Sequence, residues 1–223
     1  MLFAFVLTAQ LAFTGIGLEI GPHWSEPETL DATTGPTGKL VDVAATADSD
    51  GSGRVAWIVA EAGEYRVRVA NATATDGDLS VGERRTIVST DTRLASVDVA
   101  HRNGTTAVVW RRYEANEAML ALEGARSLDP THVSSNDSLM ARNPSVALVD
   151  GTPVVAYRGY TGSSSSWVGV LAVGATEPRY TEFGTGIGPE SISPVVSAGP
   201  AGATVAWVDT DETAAEVAPL TQS

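Results

Sequence analysis

A short apolar motif, V-[AV]-[WY], recurs four times along the 223-residue chain. The copies occupy residues 55–57, 108–110, 155–157 and 205–207, and each ends in Trp or Tyr. The aromatic residue returns about every 50 residues, which is typical of chains built from one repeated unit. The sequence therefore predicts an array of similar units rather than a single unrepeated core.

Each repeat contains about four short apolar or alternating segments, separated by Gly, Asp, Asn or Pro. Alternation with a period of two indicates β-strands, and no window has a capped helical pattern of useful length. Residues 116–124 could be read as a helix, but their place in the repeat favours a strand. Repeats of roughly 40 to 50 residues with four strands each are typical of a β-propeller.

The predicted fold class is therefore all-β, a propeller-like array of four four-stranded repeats over residues 21–223. The motif strands would form the core between neighbouring blades, where one large ring per blade fills the wedge. Ring closure would place residues 24–30 against the last strand, residues 216–220, and would cover an open sheet edge. Two alternatives stay open: a part of a larger propeller completed by another chain, and an open β-sandwich.

The third repeat contains Pro144-Ser-Val-Ala, then a glycine turn, then Val155-Ala-Tyr157. At these residues the chain resembles the sialidase-like (BNR-type) propeller repeat, and the resemblance extends over residues 24–220. The Asp-box of that family, S-x-D-x-G-x-x-W, is absent, because the glycine of Asp48-Ser-Asp50-Gly51 stands at another offset. The resemblance implies a propeller in which arginines from separate blades hold an acidic sugar.

The charge balance narrows the class of partner. The chain has 27 Asp plus Glu against 14 Lys plus Arg, with Lys39 as the single lysine, and its net charge is -13. Such a chain lacks the basic surface that nucleic acids require, so no nucleic-acid partner is predicted. The composition resembles that of extremely halophilic archaea, in which carboxylates hold water and molar salt screens their repulsion. An acidic protein of ordinary salinity is the alternative.

The first 18 residues contain no charged side chain, and the first ionisable one is that of Glu19. Residues 1–20 are predicted to be a signal peptide or a membrane anchor, because an apolar stretch over residues 2–13 is followed by small residues. A pair of buried strands is a third interpretation. Contact with a membrane is expected only through residues 1–18, and only if they are not cleaved.

The absence of cysteine excludes disulfides, thiol catalysis and cysteine-ligated zinc. Three N-x-[ST] triplets begin at Asn71, Asn103 and Asn136 and are potential glycosylation sites, with ordinary turns as the alternative. Together with the apolar start, they predict an extracellular or cell-surface location.

Arginines cluster in the segments that a propeller would place on one face. The loops between second and third strands, and those entering each first strand, would bring together Arg93, Arg111, Arg112, Tyr113, Arg142, Arg158 and Tyr160. The planar fork of a guanidinium suits carboxylates, so we expect a binding face for an anionic ligand. Pairing of these arginines with nearby Asp91, Glu114 and Glu117 is the alternative.

One turn resembles the first half of a calcium loop. Asp48, Asp50 and Ser52 place oxygen ligands at alternate positions, but Val59 stands where the bidentate Glu of such a loop would be. A calcium site is one interpretation, and a long acidic hairpin turn without any cofactor is the other.

These features predict a salt-adapted binding module that recognises an anionic glycan or a protein partner. A sialidase-like glycoside hydrolase is the first alternative, with Tyr113 or Tyr160 as nucleophile and Asp209 or Asp211 as acid. A structural subunit of a surface layer or virion is the second.

Overall fold

The computed structural model of the chain describes eleven ranges, and the statements below refer to them alone. They are residues 29–30, 38–48, 50–75, 78–123, 130–134, 140–161, 165–173, 179–187, 192–200, 202–209 and 214–220.

The regular elements in these ranges are all β-strands, as the two-residue periodicity predicts. The fifteen strands are β1 (Lys39–Ala47), β2 (Ser52–Glu61), β3 (Glu64–Thr75), β4 (Asp78–Thr90), β5 (Leu94–Arg102), β6 (Thr105–Arg112), β7 (Glu117–Glu123), β8 (Thr131–His132), β9 (Met140–Val149), β10 (Thr152–Thr161), β11 (Ser165–Ala172), β12 (Arg179–Ile187), β13 (Ile192–Gly199), β14 (Gly202–Asp209) and β15 (Ala214–Leu220).

The strands form four antiparallel sheets in which neighbours in sequence are neighbours in space. Sheet 1 contains β1–β4, sheet 2 contains β5–β8, sheet 3 contains β9–β12, and sheet 4 contains β13–β15 within the described ranges. The predicted all-β, propeller-like array of repeats is therefore confirmed. Within the segment 116–124, Glu117–Glu123 form the strand β7, as the place of this segment in the repeat indicates.

Tight turns between the first two strands fix the register of sheets 2 and 3. Asn103 and Gly104 have φ of 50° and 76°, and Asp150 and Gly151 have φ of 49° and 79°. Two successive residues with positive φ are characteristic of type I′ turns, whose twist matches that of the flanking strands. These turns lie at the end of each sheet opposite the arginine-bearing loops.

The motif strands β2, β6, β10 and β14 form the core between sheets, as the sequence predicts. Trp110 packs with Ala56 and Ile58 of sheet 1, and Trp207 packs with Ala156 of sheet 3. Each aromatic of the later repeats thus faces the preceding sheet, while the residue before it faces the next one. Because the motif alternates in this way, both faces of an inner sheet are apolar.

The two ends of the array differ. On sheet 1, Trp57 is fully buried and packs with Leu30, and the Arg84 side chain donates a hydrogen bond to the Thr29 carbonyl (3.0 Å). Residues 29–30, the described part of the segment 24–30, therefore contact the first sheet, and the expected pairing of this segment with the last strand stays a prediction. Residues 24–28 lie outside the described ranges.

The far face of sheet 4 carries apolar side chains in contact with solvent. Val195 is 59% exposed and Val217 is 64% exposed, and both pair with Ala206 in the ladder. The first strands β1, β5, β9 and β13 contact one another in that order, and no comparable contact joins β13 to β1 among the described residues. The described sheets thus form an array whose ring they do not close by themselves.

Hydrogen bonds link the first strand of each sheet to the first strand of the next sheet. We call the region where these four strands meet the axis. The Asp42 carboxylate accepts from the Val97 amide (2.9 Å), and the Asp98 carboxylate accepts from the Val146 amide (2.9 Å). The Ser145 hydroxyl donates to Asp98 and accepts from the Val196 amide at 3.2 Å. Asp42, Asp98 and Ser145 occupy equivalent places in the repeat, and Val195 occupies the fourth. We call Asp42, Asp98 and Ser145 the axial clasp.

Candidate functional site

Two arginines flank one tyrosine at the loop end of sheet 2. Arg93 directly precedes β5, Arg111 lies near the end of β6, and Tyr113 begins the turn that follows. The guanidinium carbons of Arg93 and Arg111 lie 4.1 and 4.5 Å from the centre of the Tyr113 ring. The Tyr113 amide donates to the Arg93 carbonyl at 2.8 Å, which joins the two loops. This arrangement is a cation–π sandwich around a partly exposed ring.

Arg111 is the buried member of this cluster. Its guanidinium donates to the Asn116 side-chain oxygen at 2.7 Å, while its Nε atom makes no hydrogen bond in the described part of the chain. Burial lowers the pKa of Arg111, and the nearby charges of Arg142 and then Arg93 lower it further. The site therefore concentrates positive charge where water is partly excluded, and an anion would relieve this repulsion.

Arg142 and Arg158 face each other across the β9–β10 ladder. Arg158 is buried, and Arg142 is half-buried. The charge of Arg142 in sheet 3 is near enough to lower the pKa of Arg111 in sheet 2. Both sheets therefore contribute to this group of arginines. We use "arginine cluster" for Arg93, Arg111, Tyr113 and Arg142.

The other predicted members of the face differ in position. Arg112 forms an ion pair with Glu117 (3.0 Å), as the alternative of local pairing anticipates. Neither Arg93 nor Arg111 pairs with a carboxylate within 4.0 Å among the residues that the structure describes. Tyr160 and Asp209 belong to β10 and β14, but their side chains lie outside the described part, as does Asp211 entirely.

The acidic turn between β1 and β2 uses its own oxygens internally. The Asp50 carboxylate accepts from the Ser52 amide (2.9 Å) and from the Ser52 hydroxyl (2.6 Å), and these bonds lower the pKa of Asp50. The Asp48 amide donates to the Ser52 carbonyl (2.7 Å). Among the described residues, no group of three His, Cys, Asp or Glu side chains could hold a metal ion. Asp50 and Ser52 are thus bonded to each other within the turn, and a calcium site there stays a prediction.

Two of the three sequon asparagines are at the surface. Asn71 is exposed on β3, and Asn103 is exposed in the turn after β5. Asn136 lies outside the described ranges. Glycosylation of Asn71 and Asn103 stays a prediction to which their exposure is favourable.

A cavity of about 340 Å³ lies near the axis, where the first strands of all four sheets converge. Each of these strands contains a β-bulge, and the bulge residues Ser96 and Asn143 line the cavity with Ser193. All three members of the axial clasp, Asp42, Asp98 and Ser145, also line it. Bulges are common next to binding sites because they turn side chains away from the ladder.

Sequence reasoning did not identify Asn116 or the axial clasp. Asp42, Asp98 and Ser145 directly follow Val41, Val97 and Pro144. An alignment of the repeats that matches these three preceding residues therefore also matches the clasp residues. Asn116 has a φ of 57° and its carbonyl accepts from the Ala141 amide of sheet 3 at 2.7 Å. The sequence around Asn116 has no feature that predicts this hydrogen bond between sheets 2 and 3.

No protein-family model matches the sequence, and comparison with curated proteins finds no match. Among solved structures, the chain is similar to an endo-arabinase from Bacteroides thetaiotaomicron VPI-5482, with a TM-score of 0.49 and 10% identity over 79% of this chain and 73% of that one. It is also similar to an exo-β-1,3-galactanase from Clostridium thermocellum, with a TM-score of 0.49 and 11% identity over 83% of this chain and 47% of that one.

A thermostable family-43 glycoside hydrolase aligns with 85% of the chain and 92% of its own length, at 9% identity and a TM-score of 0.37. Similarities of this size do not assign an activity to the chain. The described ranges contain no helix long and apolar enough to cross a bilayer.

Proposed function

We propose that the chain is a binding module that recognises a carboxylate-bearing ligand, an anionic glycan or an acidic protein segment, at the arginine cluster. The observation that carries this proposal is the sandwich of Arg93 and Arg111 around Tyr113. Within the described part of the chain neither arginine is neutralised by an ion pair, although the protein has 27 acidic residues. Arg93 and Arg111 can therefore form charge-assisted hydrogen bonds with an external anion.

The chemistry of the cluster suits a carboxylate. A guanidinium offers parallel N–H donors that match two carboxylate oxygens, and such charge-assisted bonds are stronger than neutral ones. The Tyr113 ring holds the two guanidiniums in place, so less rotamer entropy is lost when the ligand binds. A bound carboxylate would also offset the repulsion that lowers the pKa of Arg111.

The net charge of -13 opposes any anionic ligand at long range. Salt shortens the Debye length to about 3 Å at 1 M, so the distant acidic residues are screened while contacts within the cluster persist. We therefore propose that the protein binds its ligand at high salt, outside the cell or at the cell surface. The exposure of Asn71 and Asn103 is favourable to that location.

The decisive experiment compares uronic-acid oligosaccharides with their methyl esters, which have the same shape without the charge. We expect calorimetry in ~2 M KCl to detect the acids and to miss the esters. Arg93→Gln and Arg111→Gln should each reduce affinity by about tenfold or more, because each removes a charge-assisted hydrogen bond. Equal binding of acid and ester would contradict the proposal.

Arg102→Gln is the matched control. Arg102 ends β5 at the opposite end from Arg93, so removal of its charge should leave affinity unchanged within twofold. The same incubations are analysed for released sugar, because release would favour the glycoside hydrolase alternative. Absence of binding for every acidic probe would favour the structural-subunit alternative.

A further inference from the structure

The bulges at the axis hold two non-glycine residues in a left-handed conformation. Ser96 has a φ of 52° and Asn143 a φ of 48°, and the two residues occupy equivalent places in repeats 2 and 3. Positive φ is costly for a residue with a Cβ, and glycine would adopt it freely. Such outliers concentrate where a side chain serves a purpose beyond the fold.

Both residues line the cavity described above. The Ser96 hydroxyl donates to the Asn143 side-chain oxygen at 3.3 Å, which leaves the Asn143 amide group and the Ser96 oxygen lone pairs for a further partner. Ser193 takes the equivalent place in the fourth repeat and also lines the cavity. Three repeats thus contribute one small polar side chain each to the same wall.

The wall also has an apolar part. Pro144 and Pro194 are buried beside the bulges, and Val195 exposes 59% of its surface although it lies near the axis. Rigid proline and valine surfaces of this kind pack against C–H groups of a ligand without loss of side-chain entropy. The cavity is open to solvent, and its volume of about 340 Å³ is near the lower end of the range of small-molecule sites, ~300–1,000 Å³.

The charges at the cavity restrict the class of ligand. Asp42 and Asp98 would repel an anion, so the cavity does not suit the ligand of the arginine cluster. A cation is not required either, because both carboxylates already accept backbone N–H bonds across the clasp. A neutral molecule with several hydroxyl groups and one apolar face matches both the polar wall and the apolar wall.

We propose that the axial cavity binds a neutral sugar ring through Ser96, Asn143 and Ser193, with its C–H face against Pro144, Pro194 and Val195. No residue of the arginine cluster lines this cavity, although Arg142 directly precedes Asn143 in β9, and the two sites take different ligands. The left-handed backbone at Ser96 and Asn143 is then the means by which two polar side chains leave the ladder and reach the ligand.

The test titrates neutral pentoses, hexoses and their methyl glycosides into the full chain, with saturation-transfer NMR and the melting temperature as readouts. We expect at least one of these sugars to bind with millimolar affinity. Ser96→Gly and Asn143→Gly should each weaken binding by about tenfold or more, and should keep or raise the melting temperature because glycine relieves the backbone.

Asn103→Gly makes the same substitution at a φ of 50° in a hairpin turn, away from the cavity, and should leave sugar binding unchanged. Titration of the uronic acid into Ser96→Gly separates the two sites, because binding at the arginine cluster should persist there. The proposal is overturned if no neutral sugar binds, or if binding survives both cavity variants. It is also overturned if calcium alone raises the melting temperature and both variants abolish that rise.

Discussion

At the scale of single residues, close approach decides which side chain fits. Gly169 pairs with Tyr157 across β10 and β11, and a Cβ added to Gly169 would lie 2.7 Å from Cζ of the Tyr157 ring. The ring is fully buried at the interface with sheet 2, so it has no free space into which to move. The glycine is therefore required by its neighbour rather than by its own backbone conformation.

We expect Gly169→Ala to lower the free energy of unfolding by about 1–3 kcal/mol, because the added methyl group overpacks this contact. Urea unfolding monitored by fluorescence measures the change. Gly82→Ala is the control, since a Cβ at Gly82 would meet its nearest neighbour, the Asn71 Cβ, at an ordinary 3.4 Å. The control should shift stability by less than about 0.5 kcal/mol. Equal effects in the two variants would contradict the steric explanation.

At the scale of elements, the axial clasp joins first strands that share no backbone ladder. The Asp98 carboxylate accepts from the Val99 amide of its own strand β5, and from the amide of Val146 and the hydroxyl of Ser145 in β9. Burial raises the pKa of Asp98 above its ordinary 3.8, with a smaller contribution from the charge of Asp42, although these hydrogen bonds act in the opposite direction. The clasp therefore couples the packing of sheets 2 and 3 to protonation.

The sign of the pH effect follows from the raised pKa. The folded chain binds the Asp98 proton more tightly than the unfolded chain, so the stability from this group is full below pH 3.8 and is lost as pH rises through the folded pKa. An Asn side chain at this position does not titrate. Its NH₂ group is itself a donor and could not accept from the Val99 and Val146 amides. We expect Asp98→Asn to lower the free energy of unfolding by about 1–3 kcal/mol. The difference in free energy of unfolding between wild type and variant should narrow as pH rises above 3.8.

Urea unfolding of both proteins from about pH 4 to pH 7 measures this gap. Asp91→Asn, at an exposed carboxylate, is the control and should change stability by less than about 0.5 kcal/mol. A gap that widens with pH would show that the hydrogen bonds outweigh burial at Asp98.

At the scale of the whole molecule, excess negative charge opposes the compact state. Glu123 of sheet 2 offsets part of it through ion pairs with Arg54 (3.9 Å) and Arg85 (3.0 Å) of sheet 1, but exposed pairs contribute little. With a net charge of -13, self-repulsion is weakened mainly by dissolved ions. Screening of this repulsion by dissolved ions is the physical reason for the predicted adaptation to salt.

We expect the melting temperature to rise as KCl increases from ~0.1 M to ~3 M, because the Debye length falls from about 10 Å to below 3 Å. Circular dichroism follows the transition. NaCl at equal ionic strength should act alike, since screening depends on ionic strength alone. A melting temperature that is flat or falls with salt would contradict salt adaptation and favour the acidic protein of ordinary salinity.

Local pattern predicted much of this molecule. The motif around Trp57, Trp110, Tyr157 and Trp207 predicted the strands, their repetition and the faces that meet between sheets, because alternation along a strand directly encodes which side is apolar. It also predicted that Arg93, Arg111 and Tyr113 would lie together, since repeat position determines at which end of a sheet a loop emerges. The role of these residues in binding remains a prediction.

The tertiary structure decided what depends on contacts between distant segments. The placement of Leu30 against sheet 1 and the exposure of Val195 could not be read from the pattern, because each depends on which neighbour is present. The same holds for the clasp and the cavity, where residues about 50 positions apart meet at the axis. The sequence by itself determined the strands and their apolar faces, which follow from local periodicity, whereas packing in three dimensions determined which polar groups meet and which faces stay open.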